Sequence, residues 1–138
     1  MSNLEVIIEK TNHIQNCLKR IEDTLQGDLR RLDHLDAQDI VILNLQRAIQ
    51  LVMDMGAHIV STENLGIPIN LKDVFVILEK NNILEHNLGN KMQKMVGFRN
   101  IAVHDYQAIN PDILKSILVN HLKDLEDFYT IIIKRYKQ

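Results

Sequence analysis

The stretch DAQDIVILNLQRAIQLVMDMGAHIVS, Asp36–Ser61, holds no proline and is apolar almost all the way round. At about 100° per residue, Ile40, Val41, Leu43, Leu45, Ala48, Ile49, Leu51, Val52, Met53, Met55, Ile59 and Val60 cover an unusually wide arc of a helix that Asp36 caps. A helix this apolar is central to a bundle, or covers a core on one side and another subunit on the other. Asn44, Arg47, Gln50, Asp54 and His58 interrupt it as one polar stripe. Asp54 and His58 are four apart, close enough to interact. The stripe is either the solvent face or the border of a cleft to which Asp54 supplies a carboxylate.

The chain on either side has the same helical character. From Asn3 to Leu25, the residues Leu4, Ile7, Thr11, Ile14, Leu18, Ile21 and Leu25 follow alternating three- and four-residue steps, the seam of a packed helix. Gly27 suits its end, and Gln26 to Leu35 is a charged connector. Beyond the central helix, Glu63 to Asn70 forms a loop with Gly66 and Pro68. Asn70 then caps a shorter helix carrying Val74, Phe75, Ile77 and Leu78, which Asn81-Asn82 ends. A fourth helix runs from about Leu84 to His104. Asn110-Pro111 opens a fifth, which extends to about Tyr136 with Leu114, Leu118, Leu122, Leu125, Phe128 and Ile132 as its seam and His121 close to it, a core or boundary histidine rather than a ligand. The expected fold is all-α, a compact bundle of four long helices plus one short one, in a single domain spanning residues 1–138.

Composition narrows the function. The one cysteine, Cys17, excludes an internal disulfide framework and CxxC metal sites; its place among helical residues suggests a buried thiol. No HExxH or comparable cluster points to a metal, and Ser2, Ser61 and Ser116 lack a nucleophile's context. No cofactor is expected. Glu5 and Glu9 argue against a leader peptide, and no apolar run is expected to span a membrane, so cytoplasm is the default. The net charge of −2 does not advertise nucleic-acid binding. A nuclease acting on one exposed phosphate needs only a local positive site.

That site is expected in FRNIAVHDY, Phe98–Tyr106, at the end of the fourth helix. Met92, Met95, Val96, Ala102 and Val103 form one apolar face, and Arg99 falls in its middle. Gln93, Asn100 and His104 form a separate stripe on which Asn100 reaches His104. A charge centred on an apolar face is costly unless paired. Asp54 or a group from a second subunit is the expected partner, in an open cleft with Arg99 partly buried.

These residues resemble the R-x4-H-x-Y motif of HepT-like ribonuclease toxins of the HEPN superfamily, small all-helical proteins of similar length. The resemblance extends to Arg47-Ala48-Ile49-Gln50, to Asp54…His58-Ile59 and to the Gly66-Ile67-Pro68 turn. It implies a homodimer with both motifs facing one cleft. It also implies a minimal nucleotidyltransferase antitoxin that adds AMP to the motif tyrosine, here Tyr106.

The chemistry of the residues agrees. RNA carries its own nucleophile, the 2′-OH, so a protein need only move protons and stabilise charge. Histidine titrates near neutrality and serves as general base or acid; arginine holds two phosphate oxygens and stabilises the charge that grows on them. The expectation is therefore a metal-independent endoribonuclease with Arg99 and His104 catalytic and Asn100 orienting the imidazole. One difficulty is geometric: Arg99 and His104 stand about 140° apart on an ideal helix. The helix loosens before His104, or the arginine bends toward it, or a second subunit completes the site. The alternative function is a non-catalytic helical module that partners a nucleotidyltransferase or binds a nucleotide through Arg99.

Overall fold

The computed structural model describes residues 1–137. Among them are six α-helices and no strand: α1 (Asn3–Leu25), α2 (Leu35–Thr62), α3 (Asp73–Lys80), α4 (His86–His104), α5 (Pro111–Asn120) and α6 (Leu122–Tyr136). Short 3₁₀ turns at Leu29–Asp33 and Tyr106–Ala108 fill two connections. The first of these lies in what reads from sequence as an unstructured charged connector.

Local chemistry sets the helix ends. Ser2 Oγ accepts from Glu5 N while the Glu5 carboxylate accepts from Ser2 N, so two otherwise unpaired donors of α1 are satisfied reciprocally. α1 stops where Gln26 (φ 52°) and Gly27 (φ 74°) both enter the left-handed region, which glycine tolerates without steric cost. Asn110 Oδ1 accepts from Asp112 N and Ile113 N at the start of α5, directly before Pro111. At α2 the expected cap is absent: the helix begins one residue earlier, at Leu35, and Asp36 lies inside its first turn.

α2 is the central element and packs on α1, α3, α4 and α6. Its Val41, Leu45, Ala48, Ile49, Val52, Met55 and Ile59 are essentially buried. By length and composition α2 is apolar enough to cross a membrane, contrary to expectation, yet more than half of that window is buried inside the bundle. Its apolar surface meets protein, as a core helix requires. Phe75 of α3 and Phe128 of α6 meet edge to face at 5.7 Å within the same core.

The helix expected to run unbroken from Pro111 to Tyr136 is two helices. His121 (φ −125°) leaves the helical backbone between them, and its Nδ1 lies 2.8 Å from Asp124 Oδ2. Asp124 is 4% exposed and also faces Lys91 of α4, 3.7 Å away. A carboxylate that deep needs compensating groups, and the break brings one of them round. His121 is half-buried, consistent with a core or boundary histidine.

Three contacts fix how α2 and α4 lie. Gly56, late in α2, abuts Val74 and Leu78 of α3; Glu79, late in α3, reaches Gly89 at the start of α4. Tyr106, just past the end of α4, returns to Asp39 near the start of α2. The two helices are therefore antiparallel, and the C-terminal end of α4 sits beside the N-terminal turns of α2.

Candidate active site

α4 delivers the site residues. Its inward face buries Met92, Met95, Val96, Phe98 and Ala102, which fixes its rotation and leaves Arg99 at the margin of the packed surface. Arg99 is half-buried, as expected. Its Nη1 donates to Asn100 Oδ1 at 3.0 Å, and its Nε is buried with no partner. Among the described residues no carboxylate pairs with it. The guanidinium is held by a neutral neighbour and keeps its charge uncompensated.

The Asp54 partnership is a correction. Asp54 is exposed and accepts from Gln50 Nε2 at 2.8 Å. It lies fifteen residues beyond Asp39 on α2, about 22 Å along the axis, whereas Arg99 lies seven residues, about 10 Å, back from Tyr106. With the helices antiparallel and Asp39 beside Tyr106, Asp54 is about two turns too far along to meet Arg99. Nor does the polar stripe border α4. Asn44, Arg47 and Gln50 line a groove of about 670 Å³ shared with His13, Asn16 and Arg20 of α1, and His58 Nε2 lies 3.1 Å from Asn3 Oδ1. Cys17 also lines that groove and is half-buried rather than buried. Burial raises its thiol pKa, partly offset by the nearby positive charge of Arg47.

Asn100 serves Arg99, not His104. Its oxygen is taken by the guanidinium, so it positions the arginine rather than the imidazole. His104 is exposed at the last helical position, and the α-helix stays regular up to it. Loosening of the helix therefore does not bring Arg99 and His104 together, which leaves the reach of the arginine or a second subunit.

Tyr106 opens the 3₁₀ turn after α4. It is 40% exposed, and its hydroxyl donates to Asp39 Oδ1 of α2. Burial of the oxygen, and then the hydrogen bond and charge of Asp39, push its pKa up to about 12. Asp39 is the residue that sequence reasoning missed. α2 does supply a carboxylate to the motif, but from four turns before Asp54. The contact spans 67 positions, and only the antiparallel register of α2 and α4 could have disclosed it. Ile101 and Val103, at 43% and 40% exposure, leave apolar surface beside the motif.

The family model described as Ribonuclease HepT-like matches residues 14–132. An mRNA nuclease HepT of Shewanella oneidensis is 41% identical over 128 residues, covering 93% of this chain and 96% of that one. A solved structure described as a toxin–antitoxin with AMP-PNP is 40% identical, covers 93% of this chain and 97% of its own, and superposes with a TM-score of 0.88. A tri-AMPylated Shewanella oneidensis HEPN toxin in complex with an MNT antitoxin is 41% identical, with coverages of 96% and 98% and the same TM-score of 0.88.

Proposed function

Since the chain belongs to the Ribonuclease HepT-like family, we propose that it is the toxin of a toxin–antitoxin pair. It acts in the cytoplasm as a metal-independent endoribonuclease, folded as one domain over residues 1–138. The observation that carries this reading is Arg99: a half-buried guanidinium that has, among the described residues, no carboxylate partner and an unmatched Nε, five residues before an exposed histidine. A cation kept free of internal anions is available to an external one, and a phosphate matches its fork.

In the reaction, His104 takes the proton of the 2′-OH or supplies one to the departing 5′ oxygen. Its copy in a second subunit takes the other role. Arg99 holds the phosphate oxygens and stabilises the charge that grows on them as the 2′ oxygen attacks. Asn100 keeps the guanidinium in place. Attack from within the RNA breaks the P–O5′ bond and leaves a 2′,3′-cyclic phosphate and a 5′-hydroxyl. A homodimer in which two α4 ends face one cleft accounts for the separation of Arg99 and His104 on a regular helix, and the exposed Ile101 and Val103 offer apolar surface for it. The antitoxin partner is a minimal nucleotidyltransferase that adds AMP to Tyr106, placing bulk and negative charge where RNA phosphate must bind.

Purified dimer should cleave RNA in EDTA, leave 2′-deoxy-substituted RNA intact and yield cyclic phosphate ends. Arg99→Ala and His104→Ala should each lower cleavage at least about 10²-fold. Cleavage of the deoxy substrate overturns the mechanism. A folded dimer that cleaves no RNA points instead to a binding module for the transferase.

A further inference from the structure

Resting on the reading of Tyr106 as the AMP acceptor, we propose that Asp39 is a catalytic residue of that modification: the toxin itself supplies the base that removes the phenolic proton. The geometry is direct. The Tyr106 hydroxyl donates its hydrogen to Asp39 Oδ1 and thereby directs the proton to be lost at a carboxylate. Asp39 stands on the second turn of α2, anchored by the buried Val41, Ile42 and Leu45 that follow it, so the acceptor is fixed on the rigid core helix. Tyr106 is 40% exposed, which leaves its oxygen reachable from outside while its proton points to Asp39.

The need for a base follows from the same contact. A neutral phenol is a weak nucleophile, and burial and Asp39 hold this one at a pKa of about 12. Free phenolate is therefore scarce at neutral pH. Asp39 is the charged group acting on this hydroxyl; His104 and Asp105 precede it in the chain and Asp36 lies one turn earlier on α2. In the transfer, the Tyr106 oxygen forms a bond to the α-phosphorus of ATP. The bond from that phosphorus to the bridging oxygen breaks, and pyrophosphate leaves with the electron pair. The phenolic proton passes to the Asp39 carboxylate and then to water. The nucleotidyltransferase holds the ATP; the toxin contributes nucleophile and base together.

The test uses full-length toxin with its cognate nucleotidyltransferase and ATP, read by intact mass and by mapping of the modified residue. Asp39→Asn keeps a hydrogen-bond acceptor of the same shape and lacks a base. It should lower kcat for AMP addition by about 10²–10⁴-fold at neutral pH, with KM for the toxin unchanged. The wild-type rate should be flat through the neutral range, whereas the Asp39→Asn rate should rise about tenfold per pH unit as phenolate takes over. Asp39→Glu should restore much of the rate. Thermal unfolding of each variant confirms that it is folded. An unchanged kcat and pH profile for folded Asp39→Asn overturns the proposal, as does a defect confined to KM. Unaltered modification of Tyr106→Phe removes Tyr106 as the acceptor, an outcome separate from a failure of Asp39.

Discussion

In the proposed site Arg99 carries a charge that no carboxylate pairs among the described residues. Breaking a buried ion pair costs about 3–5 kcal/mol, but among the described residues Arg99 has no carboxylate to lose. Arg99→Lys is therefore expected to change unfolding free energy by less than about 1 kcal/mol, by urea denaturation, while cutting RNA cleavage about 10²-fold, because an ammonium cannot offer a planar fork to phosphate. A large stability loss would identify Arg99 as a packing residue. Tyr106 gives a second measurement. Its phenol is neutral when protonated, and its folded pKa, about 12, exceeds the ordinary 10.0. The contact thus contributes its full stability below pH 10 and loses it as pH rises through about 12. Because Tyr136 is also pushed up to about 12, ultraviolet titration is best done in a Tyr136→Phe background. There Asp39→Asn should bring the Tyr106 transition partway back toward 10, burial accounting for the remainder.

Helices read well from sequence where their signals are local. α1 has the bounds expected of it and buries five of its seven seam residues, and the ends of α2 and α4 fall within two residues, because periodicity and termini are written in neighbouring side chains. The break at His121 was unreadable for the opposite reason. It answers a carboxylate, Asp124, that is also faced by Lys91 on α4, and the seam residues continue across the gap as though nothing intervened. Asp54 failed likewise: its periodicity is right, but the register between α2 and α4 decides which acid reaches the motif. The motif on which the proposed site rests, Arg99, His104 and Tyr106, was visible because it is contiguous. One close approach between elements also gives a prediction. A Cβ on Gly56 would stand 2.7 Å from Val74 Cγ1 and 3.4 Å from Leu78 Cδ1, and a β-branched neighbour on a helix has little freedom to move aside. Gly56→Ala gains about 1 kcal/mol in helix propensity, but overpacking costs about 1–3 kcal/mol. The expected net is a Tm lowered by a few degrees; a raised Tm would mean α3 shifts freely.

The last turn of α6 is tied back to the end of α2. Arg135 Nη2 donates to Glu63 Oε1 at 2.6 Å, and the Tyr136 hydroxyl donates to the other oxygen of the same carboxylate. The Arg135 hydrogen bond, chiefly, holds the Glu63 carboxyl below its usual pKa, while burial and then Glu63 raise Tyr136 to about 12. A lowered acid contributes above the ordinary carboxylate range and stops contributing as pH falls through its folded value; a raised phenol contributes below 10 and stops as pH passes about 12. The clamp therefore works across the neutral range. Glu63→Gln should be less stable than wild type at pH 7 in urea unfolding, with the difference closing on acidification; a gap that persists at low pH would rule out the charged contact as its source. The same clamp has a consequence for synthesis. A chain made from its N-terminus, at about 5–20 residues per second, can zip α1 onto α2 early, since these are consecutive and share the broadest helix interface. The partner of Tyr106 thus waits on α2 before the motif emerges, and Arg135 and Tyr136, which follow the motif in the chain, reach Glu63 only after it. The end of α4 is thus completed on a scaffold whose clamp between α2 and α6 closes after it.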